Sequence, residues 1–115
     1  MADGVQTTLD DVTLARAALA ATRDVPGVVD IGRGRYAIAR TFGLGGSVVE
    51  GIQLRREPEG LHVQVHVVVQ PVPLPALAEA VRAAIATTLR GLGARVTVVD
   101  VWVDDLRRLE EEALL

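Results

Sequence analysis

The chain has 115 residues, a net charge of −3 and an apolar fraction of 50%; at ~100–200 residues per domain it is one small domain, without room for separate catalytic and cofactor-binding lobes. Aromatic residues make up 3%, with one each of Phe, Trp and Tyr, which speaks against nucleic-acid binding by base stacking. With no cysteine, disulfides, thiolate metal sites and a cysteine nucleophile are excluded.

The N-terminal MADGVQTTLDD is acidic and polar, unlike a signal peptide, and no apolar run reaches the ~18 residues of a membrane span. A cytoplasmic protein without a direct membrane span is expected. Thr8 followed by Asp11 approximates a capping box, and Leu9, Val12, Ala15 or Arg16, and Leu19 recur at helical spacing until Pro26-Gly27, so a first helix is predicted from about Leu9 to Arg23. Val28-Val29-Asp30-Ile31 reads as a short strand. The glycine-punctuated stretch Gly32 to Gly46 fits neither period and stays open.

Ile52 and Leu54 alternate with Gln53 and Arg55, Pro58-Glu59-Gly60 supplies a turn, and Leu61, Val63, Val65, Val67 and Val69 alternate with His62, Gln64, His66, Val68 and Gln70. This predicts a β-hairpin with one apolar and one largely polar face. Pro71, Pro73 and Pro75 close the strand, and the last suits the first turn of a helix whose stripe is Leu74, Leu77, Val81, Ile85, Leu89 and Leu92, ending at Gly91 or Gly93. Arg95 to Val103 reads as the last strand, and Asp104 to Leu115 as a short helix capped by its two acids.

The order α-β-(open)-β-β-α-β-α predicts an α+β domain over residues 1–115, core about 9–103, with a mixed or antiparallel sheet of three to four strands and helices on one face. Its predicted inner face is Ile52, Leu54, Val63, Val65, Val67, Val99, Val101 and Val103 against Leu77, Val81, Ile85 and Leu89.

Chemistry-bearing patterns are sparse. Gly32-Arg33-Gly34-Arg35-Tyr36-Ala37 matches a loose dinucleotide fingerprint, but the chain is too short for that fold, and a flexible turn explains it better. His62 and His66 point the same way but lie roughly 13 Å apart along a strand at about 3.3 Å per residue, too far for one zinc with bonds of about 2 Å. No metal site is expected. Ser47, the only serine, sits in Gly45-Gly46-Ser47, which is unlike a nucleophile elbow. Asp104-Asp105 reads as a helix cap and Glu110-Glu111-Glu112 as a solvated face, so no catalytic residue and no cofactor is expected. Gly43-Leu44-Gly45-Gly46 has the spacing of a K-homology loop but precedes a strand.

Two features bear on partners. Arg33, Arg35 and Arg40 lie in a stretch with no acid between Ile31 and Val49, so an acidic chain carries a local positive segment that reads as solvated loop charge or, alternatively, as a contact for an anion or a partner's carboxylates. Trp102 shares its strand face with Val98 and Asp100, opposite the core valines; its own termini, a cross-strand pairing with His66 or Gln64, or a partner can cover it.

The run from Pro26 to Asp105 resembles the alkaline-shock-protein family, in Pro26-Gly27-Val28-Val29, Val49-Glu50-Gly51-Ile52-Gln53-Leu54, the strand Leu61 to Val69, the helix with Leu77, Val81 and Ile85, and Val96-Thr97-Val98-Val99-Asp100-Val101-Trp102-Val103. The resemblance implies a bacterial general-stress, envelope-associated α+β domain without established catalytic residues. It also implies self-association as a homo-oligomer or docking on a membrane-anchored partner, peripheral to the inner face of the membrane. The expectation is therefore a non-enzymatic interaction protein with no nucleic-acid partner. The alternative is a small binding module for an anionic ligand, RNA or lipid through segment 32–46.

Overall fold

The computed structural model describes residues 9–34 and 39–109. Two helices, α1 (Asp11–Arg23) and α2 (Leu74–Gly91), accompany six strands: β1 (Val28–Ile31), β2 (Arg40–Phe42), β3 (Val48–Glu50), β4 (Ile52–Glu57), β5 (Gly60–Val69) and β6 (Val96–Leu106). Strands β1, β4, β5 and β6 form one mixed sheet, and β2 and β3 form a separate small hairpin. The α+β class and the one-sided helical layer are as the sequence predicts.

The long strand β5 organises the sheet. Along one edge it pairs with β6 in parallel, from Leu61↔Val96 to Val69↔Leu106. Along its other edge β4 and β1 lie end to end, both antiparallel, β4 from Glu57↔Gly60 to Ile52↔Val65 and β1 from Ile31↔Val67 to Val28↔Val69. The changeover falls on His66, whose N–H donates to the Gly51 carbonyl and whose carbonyl accepts from the Gly32 N–H, both at 2.9 Å. Gly51 has φ +92° there, and a side chain on it would strike Ile31 Cγ2 and the Gly32 carbonyl. Only glycine meets both demands.

The alternation along β5 sorts its faces as a period of two requires. Val63, Val65, Val67 and Val69 are fully buried beside Val81, Ile85 and Leu89 of α2 and Ala15 and Ala18 of α1. Burying each large aliphatic side chain contributes about 1.5–3 kcal/mol. Of the predicted inner face, Ile52, Val63, Val65, Val67 and Val99 are buried, while Leu54, Val101 and Val103 are partly buried against the same cluster.

Helix α1 is capped by Asp10, whose Oδ1 accepts from the Thr13 N–H at 2.8 Å. It therefore starts at Asp11, later than predicted, and Thr8 lies outside the described residues. Pro75 sits in the first turn of α2, as expected.

Two corrections concern the chain's other parts. The open segment contains a hairpin, with Arg40↔Glu50, Thr41↔Val49 and Phe42↔Val48 paired across a turn at Leu44–Gly46. The tail helix predicted from Asp104 does not begin there, because β6 continues to Leu106. The pairing skips Asp104 between Val67↔Val103 and Val68↔Asp105, a bulge that re-aims one side chain and lets the strand run on. The two acids are consumed locally: Asp104 serves β5, and Asp105 Oδ1 accepts from the Leu106 N–H at 2.8 Å. Residues 110–115 lie outside the described residues.

Candidate functional site

With α1 and α2 on one side, no described helix covers the opposite face of β4, β5 and β6, and its polar residues assemble in register. On β5 these are His62, Gln64 and His66; on β6 they face Val98, Asp100 and Trp102. Two histidine–aspartate pairs result.

His66 Nδ1 lies 2.9 Å from Asp104 Oδ1, and its Nε2 lies 3.1 Å from the Gln64 amide nitrogen. Because the amide nitrogen can only donate, Nε2 accepts and Nδ1 carries the proton toward Asp104. The second Asp104 oxygen accepts from the Gly34 N–H at 2.8 Å, drawing the Gly32-Arg33-Gly34 segment over the imidazole. A side chain on Gly34 would lie 3.1 Å from His66 Cε1 at φ +79°, so the second glycine of the loose dinucleotide pattern is there for close approach to a histidine. Trp102 stacks on the same ring, and the His66 side chain is left 6% exposed.

His62 takes the opposite tautomer. Its Nε2 is 2.7 Å from Asp100 Oδ2, and its Nδ1 is 3.0 Å from Arg55 Nη2, a donor, so Nε2–H donates to the carboxylate. Arg55 in turn pairs with Glu57 at 2.9 Å. All four ring nitrogens are thus engaged within the sheet. A metal or substrate could use them only by displacing these partners, and among the described residues no three His, Asp or Glu side chains converge as a metal centre requires.

The predicted arginines fare differently from one another. Arg33 Nε pairs with Glu50 at 3.2 Å, with side chains 69% and 41% exposed, a contact worth about 0–1 kcal/mol. Arg40 begins β2 directly across from the same Glu50. Arg35 lies outside the described residues. Glu50 is thus the acid against which this segment's positive charge is set. Trp102, predicted on the outer face, is there and is 54% exposed.

Sequence reasoning did not find the two histidine–aspartate pairs. H-x-Q-x-H on β5 meets D-x-W on β6 only once the parallel register is known, and that register depends on the α2 crossover. It also missed Arg16 and Arg23, two helical turns apart on α1, which line a shallow depression with Val48 and Glu50 beside the hairpin. A second depression, floored by Leu14 and Leu61 and rimmed by Arg56, Glu57 and Arg95, brings no histidine or serine to its wall.

The fold has counterparts among known structures. In fold the chain is similar to MamM-CTD, with a TM-score of 0.58 at 18% identity over 85% of this chain and 100% of that one. The copper form of MamM CTD gives 0.58 at 16% identity over 84% of this chain and 87% of that one. A nickel form of a variant gives 0.57 at 17% identity over 84% and 99%. Identities this low speak to the fold alone. Among curated proteins there is no significant match. A family model described as having a cell envelope-related function matches residues 2–108, nearly the whole chain. The chain belongs to the alkaline shock protein 23 family.

Proposed function

We propose that this is a non-enzymatic interaction protein of the cell envelope, acting at the inner face of the membrane in the general-stress response. It self-associates through the helix-free face of its sheet, the face that also meets any membrane-anchored partner. The observation that carries this reading is Trp102, 54% exposed, on the same sheet face as Val98, 40% exposed, a face no described helix covers. Tryptophan is enriched at interface hot spots, where truncation commonly costs about 2 kcal/mol or more. The non-enzymatic reading is supported by the occupied ring nitrogens of His62 and His66. The family description supports the envelope setting.

Sedimentation velocity across a wide concentration range tests it. The expected result is a mass that rises above the 12.2 kDa of one chain and a Trp102→Ala variant that stays monomeric at concentrations where the wild type assembles. A wild type that remains monomeric throughout, or a variant that assembles equally, would overturn the assignment of this face. A small anionic ligand held by segment 32–46 finds less support, because the Gly34 N–H is taken by Asp104 and Arg33 by Glu50.

A further inference from the structure

Turns usually carry polar residues, since their exposed positions gain nothing from apolar side chains. The β2–β3 hairpin departs from this. Leu44 at its tip is 95% exposed, and the cross-strand pair Phe42 and Val48 is 65% and 43% exposed. Their neighbours Thr41 and Val49 point inward, 4% and 7% exposed, so the pleat anchors one side and presents the other, with Phe42 and Val48 next to the turn and the Arg40–Glu50 pair behind them, to solvent.

The hairpin is held firmly. The Gly43 N–H donates to the Ser47 carbonyl at 2.8 Å, and the Thr41 hydroxyl donates to the Ile52 carbonyl at 2.8 Å. Gly43 packs so closely on Val12 of α1 that a side chain there would strike Val12 Cγ2. The exposed leucine and phenylalanine therefore cannot fold back onto the core; they are presented by a fixed support.

The charge around this tip opposes that of the whole chain. Arg40 stands on the hairpin, and Arg16 and Arg23, on one side of α1, border the depression that Val48 shares with the helix. The hairpin's acid, Glu50, is engaged by Arg33 at 3.2 Å. A net charge of −3 overall thus coexists with an apolar hairpin beside which Arg16 and Arg23 share a depression with Val48 and Glu50. A narrow convex tip of three apolar side chains is too small for a stable protein contact, which buries roughly 800 Å² on each partner. Apolar residues that enter the headgroup boundary while arginines meet anionic headgroups match a lipid surface.

We propose that the β2–β3 hairpin is a peripheral membrane contact that seats Phe42, Leu44 and Val48 in the interface of an anionic bilayer, with Arg16, Arg23 and Arg40 on its headgroups. The contact is separate from the sheet face that carries Trp102, and its test is independent of the chain's mass in lipid-free solution.

The experiment is co-sedimentation of the full chain with vesicles of phosphatidylcholine alone and with vesicles rich in phosphatidylglycerol. Binding to the second only, weakened by salt, is expected. Replacing Phe42 and Leu44 together by Ser should reduce partitioning by about tenfold or more, and each of Arg16→Gln and Arg23→Gln by about fivefold. These side chains are exposed, so the melting transition should not move. Because the chain has no cysteine, Leu44→Cys can carry a single environment-sensitive dye, whose emission should shift to the blue on the anionic vesicles. Failure of the wild type to bind them, equal binding to neutral vesicles, or sedimentation without a dye shift would each overturn the proposal.

Discussion

The imidazole of His66 lies nearly parallel to the indole of Trp102, with ring centroids 5.7 Å apart and planes 19° apart. The β5–β6 register places the two directly opposite, on the face that no described helix covers. His66 is consequently 5% exposed and Trp102 54% exposed. One ring shields the other, and the shielding ring keeps its outer side for solvent or a partner. His66 is also where β5 exchanges β4 for β1, so this face is tied to the changeover in the sheet.

That arrangement makes Asp104 more important than its place near the end of a strand implies. Its carboxylate holds both the nearly buried His66 and the Gly34 N–H, whereas Asp100, 48% exposed, holds the more accessible His62. Asp104→Ala leaves a buried imidazole N–H without an acceptor and should cost about 1–3 kcal/mol. Asp100→Ala should cost about 1 kcal/mol or less. Urea denaturation of the two variants checks this; equal losses, or a larger loss for Asp100, would contradict the geometry.

The two ends of the β2–β3 region give a matched pair of glycines. Gly51 and Gly45 both have positive φ, +92° and +73°, but a side chain at Gly51 would strike Ile31 and the Gly32 carbonyl while Gly45 has nothing within 4 Å. Gly45→Ala should cost about 1–2 kcal/mol from backbone conformation alone. Gly51→Ala should cost about 3 kcal/mol or more, because β1 and β4 must separate to admit the methyl group. Thermal melting of both variants separates the two effects.

The parts of this fold legible in the sequence are those set by local periodicity. The valines of β5 alternate without interruption, and Leu77, Val81, Ile85 and Leu89 repeat at helical spacing, so strand, helix and mutual burial follow from spacing alone. Trp102 was placed on the correct face by the same parity. Register was not legible. The bulge at Asp104 lets β6 run three residues beyond Val103, where two adjacent acids otherwise read as a helix start. The hairpin at Arg40–Glu50 stayed hidden because its strands are three residues each and its exposed side is apolar, inverting the usual pattern. The histidine–aspartate pairs needed both the parallel pairing and the bulge, neither of which any single segment encodes.

Asp10 offers a pH-dependent test of the first helix. Its pKa lies below the ordinary value of 3.8, chiefly because the carboxylate accepts the Thr13 N–H of the first turn. A depressed folded-state pKa means the charged cap stabilises the fold above the ordinary value and loses that contribution as pH falls through the lower, folded one. Asp10→Ala should therefore lower the Tm at neutral pH, and the gap from wild type should narrow as the solution is acidified below pH ~4. Asp10→Asn, which keeps a capping acceptor without the charge, should fall between wild type and Asp10→Ala at neutral pH. A gap between wild type and Asp10→Ala that does not change with acid would assign the cap's effect to something other than its charge.

The last prediction concerns Trp102 as a reporter of the sheet's open face. In the isolated chain one side of the indole rests on His66 and the residue is 54% exposed, so its emission should be red-shifted and readily quenched by acrylamide. If a second chain closes over the face, the remaining side leaves water, and emission should move to the blue with weaker quenching as concentration rises. Replacing His66 by Gln removes the intrachain stack but leaves the outer side of the indole unchanged. The variant should therefore be redder than wild type in the dilute state and should still shift to the blue on assembly. A spectrum that is red and equally quenched from the lowest to the highest concentration, while sedimentation shows the mass rising, would place the association surface elsewhere on the molecule. A shift that tracks the mass, at the same midpoint, would locate the contact at this ring.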